Sequence, residues 1–216
     1  MKTCTITNIS AEEKRFPLKP GEGTDSIHTK PVYSYAVTHL HTDAGLTGTG
    51  LAFTLGEGNQ EICRLIEALA QPLLNLEIEE LMAGFGSTFK AIADHPRFRW
   101  LGPHKGMVHL ALASITNACF DLWAKSRGVP LWRLLLDISP EQVVNTLDLS
   151  YLEDVLTREH ALAILAANQP ERSQRQSVLQ AGYPGYDTSI GWFNYSDEQI
   201  RENVKEAVAN GFTAMK

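Results

Sequence analysis

Cysteine is scarce in this sequence, and the placement of its cysteines narrows what the protein can be. The 216 residues include 3 cysteines. Cys4, Cys63 and Cys119 are far apart, odd in number and without CxxC spacing. This pattern argues against a disulfide framework or a structural zinc site. We therefore predict reduced, mostly buried thiols in a cytoplasmic protein.

The chain also lacks a basic surplus and a long apolar run. A formal net charge of −6 gives no electrostatic footprint for nucleic acid or an anionic membrane. No apolar run approaches the ~20 residues of a membrane span, and the polar start lacks the apolar region of a signal peptide. Hydrophobic residues at 44% and charged residues at 20% are typical of a globular protein. We expect no nucleic-acid and no membrane partner.

The first part of the chain predicts three strands. Alternation of apolar and polar residues indicates strands over 3–9, 33–42 and 46–54. The turn Asp43-Ala44-Gly45 makes a hairpin of the last two, so we expect a three-stranded antiparallel meander. The segment 15–32 is rich in proline, glycine and charge. It predicts a long loop of the kind that serves as a lid or binding loop.

Helices are predicted after the third strand. Apolar residues recur at helical spacing after the turn Gly56-x-Gly58-Asn59 and indicate an amphipathic helix. The segment 78–92 predicts one further helix. The segment 107–127 predicts a long helix that is apolar over most of its surface and therefore buried, and a short helix follows over 131–136.

The second part of the chain alternates strands with helices. The predicted elements are, in order, a strand over 144–149, helices over 157–167 and 173–181, a strand over 186–189, a helix over 196–210 and a terminal strand over 212–216. Ser196 with Gln199 forms the capping box of the last helix, and Asn210-Gly211 ends it. Such alternation is typical of parallel βαβ units. We predict two regions, 1–140 and 141–216.

The terminal strand carries an expectation about the whole protein. A strand in a sheet needs neighbours for its N–H and C=O groups, and no later residue supplies them. We therefore expect this chain to be the N-terminal part of a larger protein.

Few side chains suggest chemistry by themselves. His39 and His41 lie two apart on a strand and could share a metal, but no third ligand is evident, so a structural or solvent-facing role is favoured. Lys216, on the second strand of a βαβ unit, could act as a base or a substrate cation if buried. A plain surface lysine is the more common outcome.

Six motifs are distributed along the chain. They are Arg15-Phe16-Pro17, Gly23-Thr24-Asp25 with Tyr33, Phe53-Thr54-Leu55-Gly56-x-Gly58-Asn59, Arg99-Trp100-Leu101-Gly102-Pro103-x-Lys105-Gly106, Asn117-Ala118-x-x-Asp121-Leu122-Trp123-Ala124-Lys125 and Gly182-Tyr183-Pro184-x-Tyr186-x-Thr188-Ser189-x-Gly191-Trp192. Together these motifs resemble one family, the enolase superfamily of mandelate racemase and muconate lactonizing type, in its L-fuconate dehydratase branch. Each is weak alone, and the resemblance runs the length of the chain.

The resemblance implies a fold and a reaction. The fold is an α+β capping domain over 1–140, a three-stranded antiparallel meander plus helices, followed by the start of a (β/α)8 TIM-type barrel over 141–216. The reaction is a Mg²⁺-dependent dehydration of an acid sugar: removal of the proton α to the carboxylate and loss of the β-hydroxyl give a 2-keto-3-deoxy acid sugar. Homo-oligomers are common in this superfamily.

The resemblance also implies which residues act. Gly23, Thr24, Asp25 and Tyr33 would line the polyol end of the substrate, and Lys216 would be the first lysine of the family's Lys-x-Lys pair. The second lysine, the histidine base and the acidic Mg²⁺ ligands lie beyond Lys216. No complete catalytic set and no metal site are therefore expected within these residues. We expect the 216-residue chain alone to be inactive. The alternative is a truncated protein with a structural or binding role only.

Overall fold

The computed structural model describes residues 3–101 and 106–216. An antiparallel sheet in the order β1-β2-β3 is built from β1 (Ile6–Phe16), β2 (Tyr33–Thr42) and β3 (Thr47–Thr54). The side chains of Ala36, Thr38 and Leu40 on β2 are fully buried, while their odd-numbered neighbours point to the opposite face. The predicted meander is confirmed.

Nine α-helices lie in the described part of the chain. They are α1 (Asn59–Ala70), α2 (Ile78–Ala83), α3 (Phe85–Ala93), α4 (Met107–Ser126), α5 (Leu131–Asp137), α6 (Pro140–Asn145), α7 (Arg158–Ala167), α8 (Arg172–Ala181) and α9 (Asp197–Ala209). Short 3-10 turns occupy Gln71–Leu73, Pro96–Leu101 and Gln169–Glu171. The core lies between the inner face of the sheet and α1 to α4.

Two glycines of β3 allow α4 to lie directly on the sheet. A Cβ at Gly50 would stand 2.1 Å from the carbonyl oxygen of Ser114, and one at Gly48 would stand 2.4 Å from that of Ala118. Any side chain at these positions would push the helix away. The close approach excludes solvent from between the helix and the sheet, where Leu112 and Leu122 are almost fully buried.

The central helix corrects one expectation. By length and composition alone, Met107–Ser126 is long and apolar enough to cross a membrane, although the sequence analysis found no such run. Here it is the core helix of the first region, packed on β3 and α1. Its apolar surface is explained by burial against the sheet.

Polar side chains of α4 cover the free edge of β3. They recur every fourth residue, so they share one face of the helix. Asn117 donates to the carbonyl of Leu51 (3.1 Å), Asp121 accepts from the N–H of Thr49 (2.7 Å) and Lys125 donates to the carbonyl of Thr47 (2.8 Å). The motif spanning residues 117–125 therefore has a structural role, because exposed strand edges invite wrong pairing.

The helix predicted over 78–92 is two helices. The side chain of Glu77 accepts from the N–H groups of Glu79 (2.7 Å) and Glu80 (3.1 Å) and so begins α2. Gly84 then leaves helical geometry, with φ −132° and ψ 27°, before α3 begins. The apolar spacing continues through the break, which is why periodicity alone missed it.

The strand predicted over 144–149 is wrong. Ser139 and Gln142 form a capping box, with the Ser139 N–H donating to Oε1 of Gln142 at 2.9 Å, and α6 runs to Asn145. The residues that follow are irregular and rest on α3, where a Cβ at Gly86 would stand 2.1 Å from the carbonyl oxygen of Leu147. The capping signal was present in the sequence and outranks the short alternation.

The last two predicted strands reduce to one parallel bridge. Asp187 pairs with Met215: its N–H donates to the carbonyl of Ala214 (3.1 Å), and its carbonyl accepts from the N–H of Lys216 (2.9 Å). The parallel direction agrees with a βαβ connection through α9. The boundary between 1–140 and 141–216 stays a prediction.

Candidate functional site

The loop between β1 and β2, residues 17–32, holds most of the predicted site and is called the capping loop below. Gly23 is buried within it at φ +70°. A Cβ there would stand 2.9 Å from Cδ1 of Leu18 and 3.0 Å from Cε1 of Tyr33. Glycine is therefore required both by the backbone and by the Tyr33 ring, which packs edge-on against Phe53 with 5.1 Å between centroids.

Asp25 organises the tip of this loop. Its carboxylate accepts from the N–H of Ile27 (2.8 Å), the N–H of His28 (2.6 Å) and Nδ1 of His28 (2.9 Å). These hydrogen bonds, those from His28 first, lower the pKa of Asp25 to about 2. Asp25 is exposed and ionised at neutral pH, so it can accept further hydrogen bonds from a ligand.

Unlike Asp25, Thr24 is buried, with only 3% of its surface exposed. Its hydroxyl donates to the carbonyl of Gly21 (2.7 Å) and accepts from the N–H of Asn194 (3.3 Å). Its own carbonyl accepts from the N–H of Phe193 (3.3 Å). The predicted site residue thus joins the capping loop to a segment about 170 positions later.

Two tyrosine rings enclose the middle of the capping loop. The ring of Tyr195 would lie 3.3 Å from a Cβ at Gly21, as the Tyr33 ring does near Gly23. Burial raises the pKa of both phenols, and the negative charge of Glu22 raises it further. The sequence analysis missed Tyr195 and Glu22, since local patterns carry no signal for so distant a contact.

Lys216 lies at the parallel bridge near the end of the described residues. Its backbone belongs to the parallel bridge with Asp187, and the residue is exposed. Its role as a substrate cation stays a prediction.

A polar network supports the base of the capping loop. Arg15 donates through Nη2 to the carbonyl of Gly56 (2.7 Å), and Asn59 Nδ2 donates to Glu13 (3.1 Å). The hydroxyl of Thr54 also donates to Asn59, which is 1% exposed. The motif Gly56-x-Gly58-Asn59 is therefore a strand-to-helix turn that these hydrogen bonds hold in place.

His39 and His41 lie on the outer face of the sheet. Nε2 of His39 pairs with Glu12 (3.0 Å), while the ring nitrogens of His41 contact Ser10 and Thr47 (3.3 and 3.2 Å). Across residues 3–101 and 106–216, no group of three or more His, Cys, Asp or Glu side chains could hold a metal. The hydrogen bonds of both rings agree with the structural role expected for this pair.

The three cysteines are free. Cys4 and Cys119 are buried, and burial raises the pKa of Cys119 to about 12. A thiol with so high a pKa is a poor nucleophile at neutral pH. The prediction of unpaired, mostly buried thiols is confirmed.

The fold and the capping loop define a class of protein. Residues 6–135 match the family model for the mandelate racemase / muconate lactonizing enzyme N-terminal domain. The chain therefore belongs to this family of the enolase superfamily.

Individual relatives extend the similarity over the whole chain. Human mitochondrial enolase superfamily member 1 is 40% identical over 215 residues, which is 98% of this chain and 48% of that protein. Its crystal structure superposes with a TM-score of 0.93 over 99% of this chain and 49% of its own. L-galactonate dehydratase from Hypocrea jecorina is 34% identical over 219 residues, 100% of this chain and 49% of that protein. The chain spans about half the length of these relatives.

A more distant structure shares the fold alone. L-talarate/galactarate dehydratase from Salmonella typhimurium LT2, liganded with Mg and L-lyxarohydroxamate, is 17% identical with a TM-score of 0.62. It covers 99% of this chain, and 44% of its own chain is matched. The architecture of this chain thus recurs in that dehydratase.

Proposed function

We propose that this chain is the N-terminal part of an acid-sugar dehydratase of the L-fuconate dehydratase type. The reaction removes the proton α to the substrate carboxylate and expels the β-hydroxyl, which gives a 2-keto-3-deoxy acid sugar. The observation that carries the proposal is the 34% identity to an L-galactonate dehydratase over 100% of this chain. The preferred acid sugar, L-fuconate before L-galactonate, comes from the sequence motifs.

The capping loop has the chemistry to bind a polyol. The ionised Asp25 accepts hydrogen bonds from sugar hydroxyls, and the phenol of Tyr33 can donate and accept. Gly23 contributes by letting the Tyr33 ring lie against the loop. Lys216, exposed on the parallel bridge, would offer a positive charge to the substrate carboxylate. In this proposal the described residues bind and orient, and none of them abstracts the proton.

Magnesium is not held by the described residues. No cluster of metal-ligating side chains occurs in residues 3–101 and 106–216, so the donor set present does not fit the ion. The family resemblance assigns the acidic ligands, the second lysine and the histidine base to positions after Lys216. We derive no catalytic step through the metal from this part of the protein.

The test starts from the native polypeptide purified from its source. Its intact mass shows whether it is about twice the 23.9 kDa of this chain. It is then incubated with L-fuconate, L-galactonate and related acid sugars in the presence of Mg²⁺, and 2-keto-3-deoxy product is measured. We expect product with the native polypeptide and none with the 216-residue chain alone. Absence of product from every acid sugar would overturn the assignment.

The same experiment also tests the alternative, a truncated protein with a structural or binding role. If the native mass is 23.9 kDa, the chain would be a truncated protein with a structural or binding role. Turnover by a polypeptide of that mass would contradict both proposals, because neither gives it a proton-abstracting base.

A further inference from the structure

The strongest unassigned feature is the contact between the capping loop and residues 192–195. The N–H of Tyr195 donates to the carbonyl of Trp192 (2.9 Å), so these residues form a tight turn. The turn leaves the N–H groups of Phe193 and Asn194 free to point outward. Both donate to Thr24, one to its carbonyl and one to its hydroxyl.

The Thr24 hydroxyl has a fixed direction. Its hydrogen is used in the 2.7 Å bond to the carbonyl of Gly21, so a lone pair is available to accept the Asn194 N–H. Serine could make both bonds, and valine, which has nearly the same shape, could make neither. With only 3% exposure and its hydroxyl occupied, Thr24 is poorly placed to touch a substrate itself.

Ring packing adds to these hydrogen bonds. The ring of Tyr195 lies close to Gly21, which is at φ +83°, because a Cβ at Gly21 would stand 3.3 Å from Cδ1 and Cε1 of that ring. Asn194 also approaches Gly21, with its Cβ 3.8 Å from where a Cβ would stand. The turn thus holds the capping loop through two hydrogen bonds and one aromatic contact.

The turn is tied to the second region on both sides. Before it, Ile190 is buried, and its carbonyl accepts from Nδ2 of Asn203 on α9 (3.0 Å). After it, the hydroxyl of Ser196 accepts from the N–H of Gln199 (3.2 Å) and begins α9. A loop fixed to this turn is therefore fixed relative to the parallel bridge that ends at Lys216.

We propose that Thr24 is a positioning residue that joins the capping loop to the 192–195 turn. Its hydrogen bonds to Phe193 and Asn194, together with the contact of Tyr195 with Gly21, are called the clasp below. The clasp holds Asp25 and Tyr33 at a set place relative to the bridge of Asp187 with Met215. This inference rests on the proposed function for its effect on catalysis. The clasp itself is a property of the fold and is measured separately.

The test compares three variants of the native polypeptide. Thr24→Val removes the hydroxyl, Thr24→Ser keeps it, and Thr29→Val is the matched control because Thr29 is an exposed threonine of the same loop. Hydrogen exchange is followed for the amides of Phe193 and Asn194. We expect exchange roughly tenfold faster in Thr24→Val and unchanged in the other two. Unchanged exchange in Thr24→Val would overturn the clasp.

A second pair guards against failure to fold. Tyr195→Ala removes the ring over Gly21, while Tyr195→Phe keeps it. Only the alanine variant should speed exchange at the two amides and in residues 17–32. Equal protection in both would count against the ring contact and the clasp together.

The KM and kcat of the variants distinguish a positioning role from a general loss of structure. With the acid sugar that the native enzyme turns over, Thr24→Val should raise KM by about tenfold and leave kcat within about twofold. Thr24→Ser should restore KM. If the native enzyme dehydrates no acid sugar, the proposed function fails while the exchange data still decide the clasp. Faster exchange with an unchanged KM would overturn the positioning role.

Discussion

The hydroxyls of Thr38 and Ser114 lie 2.7 Å apart between the sheet and α4, and both residues are completely buried. The Ser114 oxygen is also 3.0 Å from the carbonyl of Gly50 and 3.2 Å from that of Ala36. One serine thus joins α4 to two strands. A buried polar group without partners costs about 1–3 kcal/mol.

Ser114→Ala should therefore lower the free energy of unfolding by about 1–3 kcal/mol, because the Thr38 hydroxyl loses its side-chain partner. Urea unfolding followed by circular dichroism measures the change. Ser87→Ala, at an exposed position of α3, is the control and should stay within about 0.5 kcal/mol of the wild type. Equal stability of the two variants would contradict this account of the interface.

Gly50→Ala should be more damaging. Its new methyl would stand 2.1 Å from the Ser114 carbonyl oxygen and 2.3 Å from the Ala118 nitrogen. Both are backbone atoms of α4, so they can move only if the helix moves. We expect a loss of about 3 kcal/mol or more, or failure to fold, because α4 must separate from β3. Gly185→Ala, where a Cβ would meet open space, is the control in the same unfolding measurement. A Gly50→Ala variant as stable as its control would contradict the close packing.

Much of this fold follows from local sequence rules, and the exceptions have physical causes. Tyr33–Thr42 was predicted to the residue, because alternation and a Gly45 turn act on the same short stretch. The prediction of a strand over 144–149 is wrong because the capping box at Ser139 begins a helix just before that segment. A few alternating residues decide little when a stronger local signal precedes them.

The candidate site was less predictable than the fold. Gly23 and Tyr33 were singled out by the resemblance of their motif to the enolase superfamily, whereas the composition of residues 15–32 predicted only a long loop. The contact of Thr24 with Asn194 joins residues 170 positions apart. Tyr195 could not be found for the same reason: its position over Gly21 depends on how the two regions pack. Periodicity and composition report on neighbours in sequence only.

The pair of Glu79 and Arg127 predicts a pH dependence. Arg127 contacts both carboxylate oxygens at 2.6 and 2.7 Å and lies 4.8 Å from the centre of the Trp123 ring. Hydrogen bonds from Arg127 chiefly lower the pKa of Glu79. A carboxylate with a lowered folded-state pKa stabilises the fold above its unfolded pKa, and that stability is lost as the pH falls through the folded value.

Glu79→Gln should thus destabilise the chain at pH 7 and have little effect at pH 3. Because the Glu79 side chain is 40% exposed, solvent screening limits the difference at pH 7 to about 1 kcal/mol. Chemical unfolding at both pH values measures it. The control is Glu61→Gln, because the ion pair of Glu61 with Arg64 is more exposed. This variant should change the free energy of unfolding little at either pH. A Glu79→Gln effect that grows towards pH 3 would refute the assignment.

Asp25 should titrate far below an ordinary aspartate. Its three local hydrogen bonds lower its pKa to about 2, so the order of the loop tip is retained above pH ~3.8 and lost as the pH falls towards 2. Carboxyl-selective NMR on the labelled protein follows the titration. Asp25→Ala should speed amide exchange at Ile27 and His28, because both N–H groups donate to Oδ1 of Asp25. A midpoint near 4 for Asp25 would show that these bonds do not persist in solution.

Asp121 should protect the protein from self-association. Its carboxylate accepts from the N–H of Thr49 at 2.7 Å and from Nζ of Lys125 at 2.6 Å, which holds the cover over the edge of β3. Asp121→Ala frees the Thr49 N–H and leaves Lys125 with only the Thr47 carbonyl as a partner. An uncovered edge strand is a template for pairing with a second chain. Sedimentation velocity should show more dimer and higher species, and the Thr49 amide should exchange faster.

The matched control for this last variant is Asp137→Ala. Asp137 makes the same kind of pair four residues from its partner, Arg133 (2.6 Å), but on α5 and away from the sheet. If both variants associate equally, loss of negative charge explains the effect and the cover does not. Association in Asp121→Ala alone, reversed by Asp121→Asn because an amide oxygen can still accept from Thr49, would identify the strand edge as the surface that pairs.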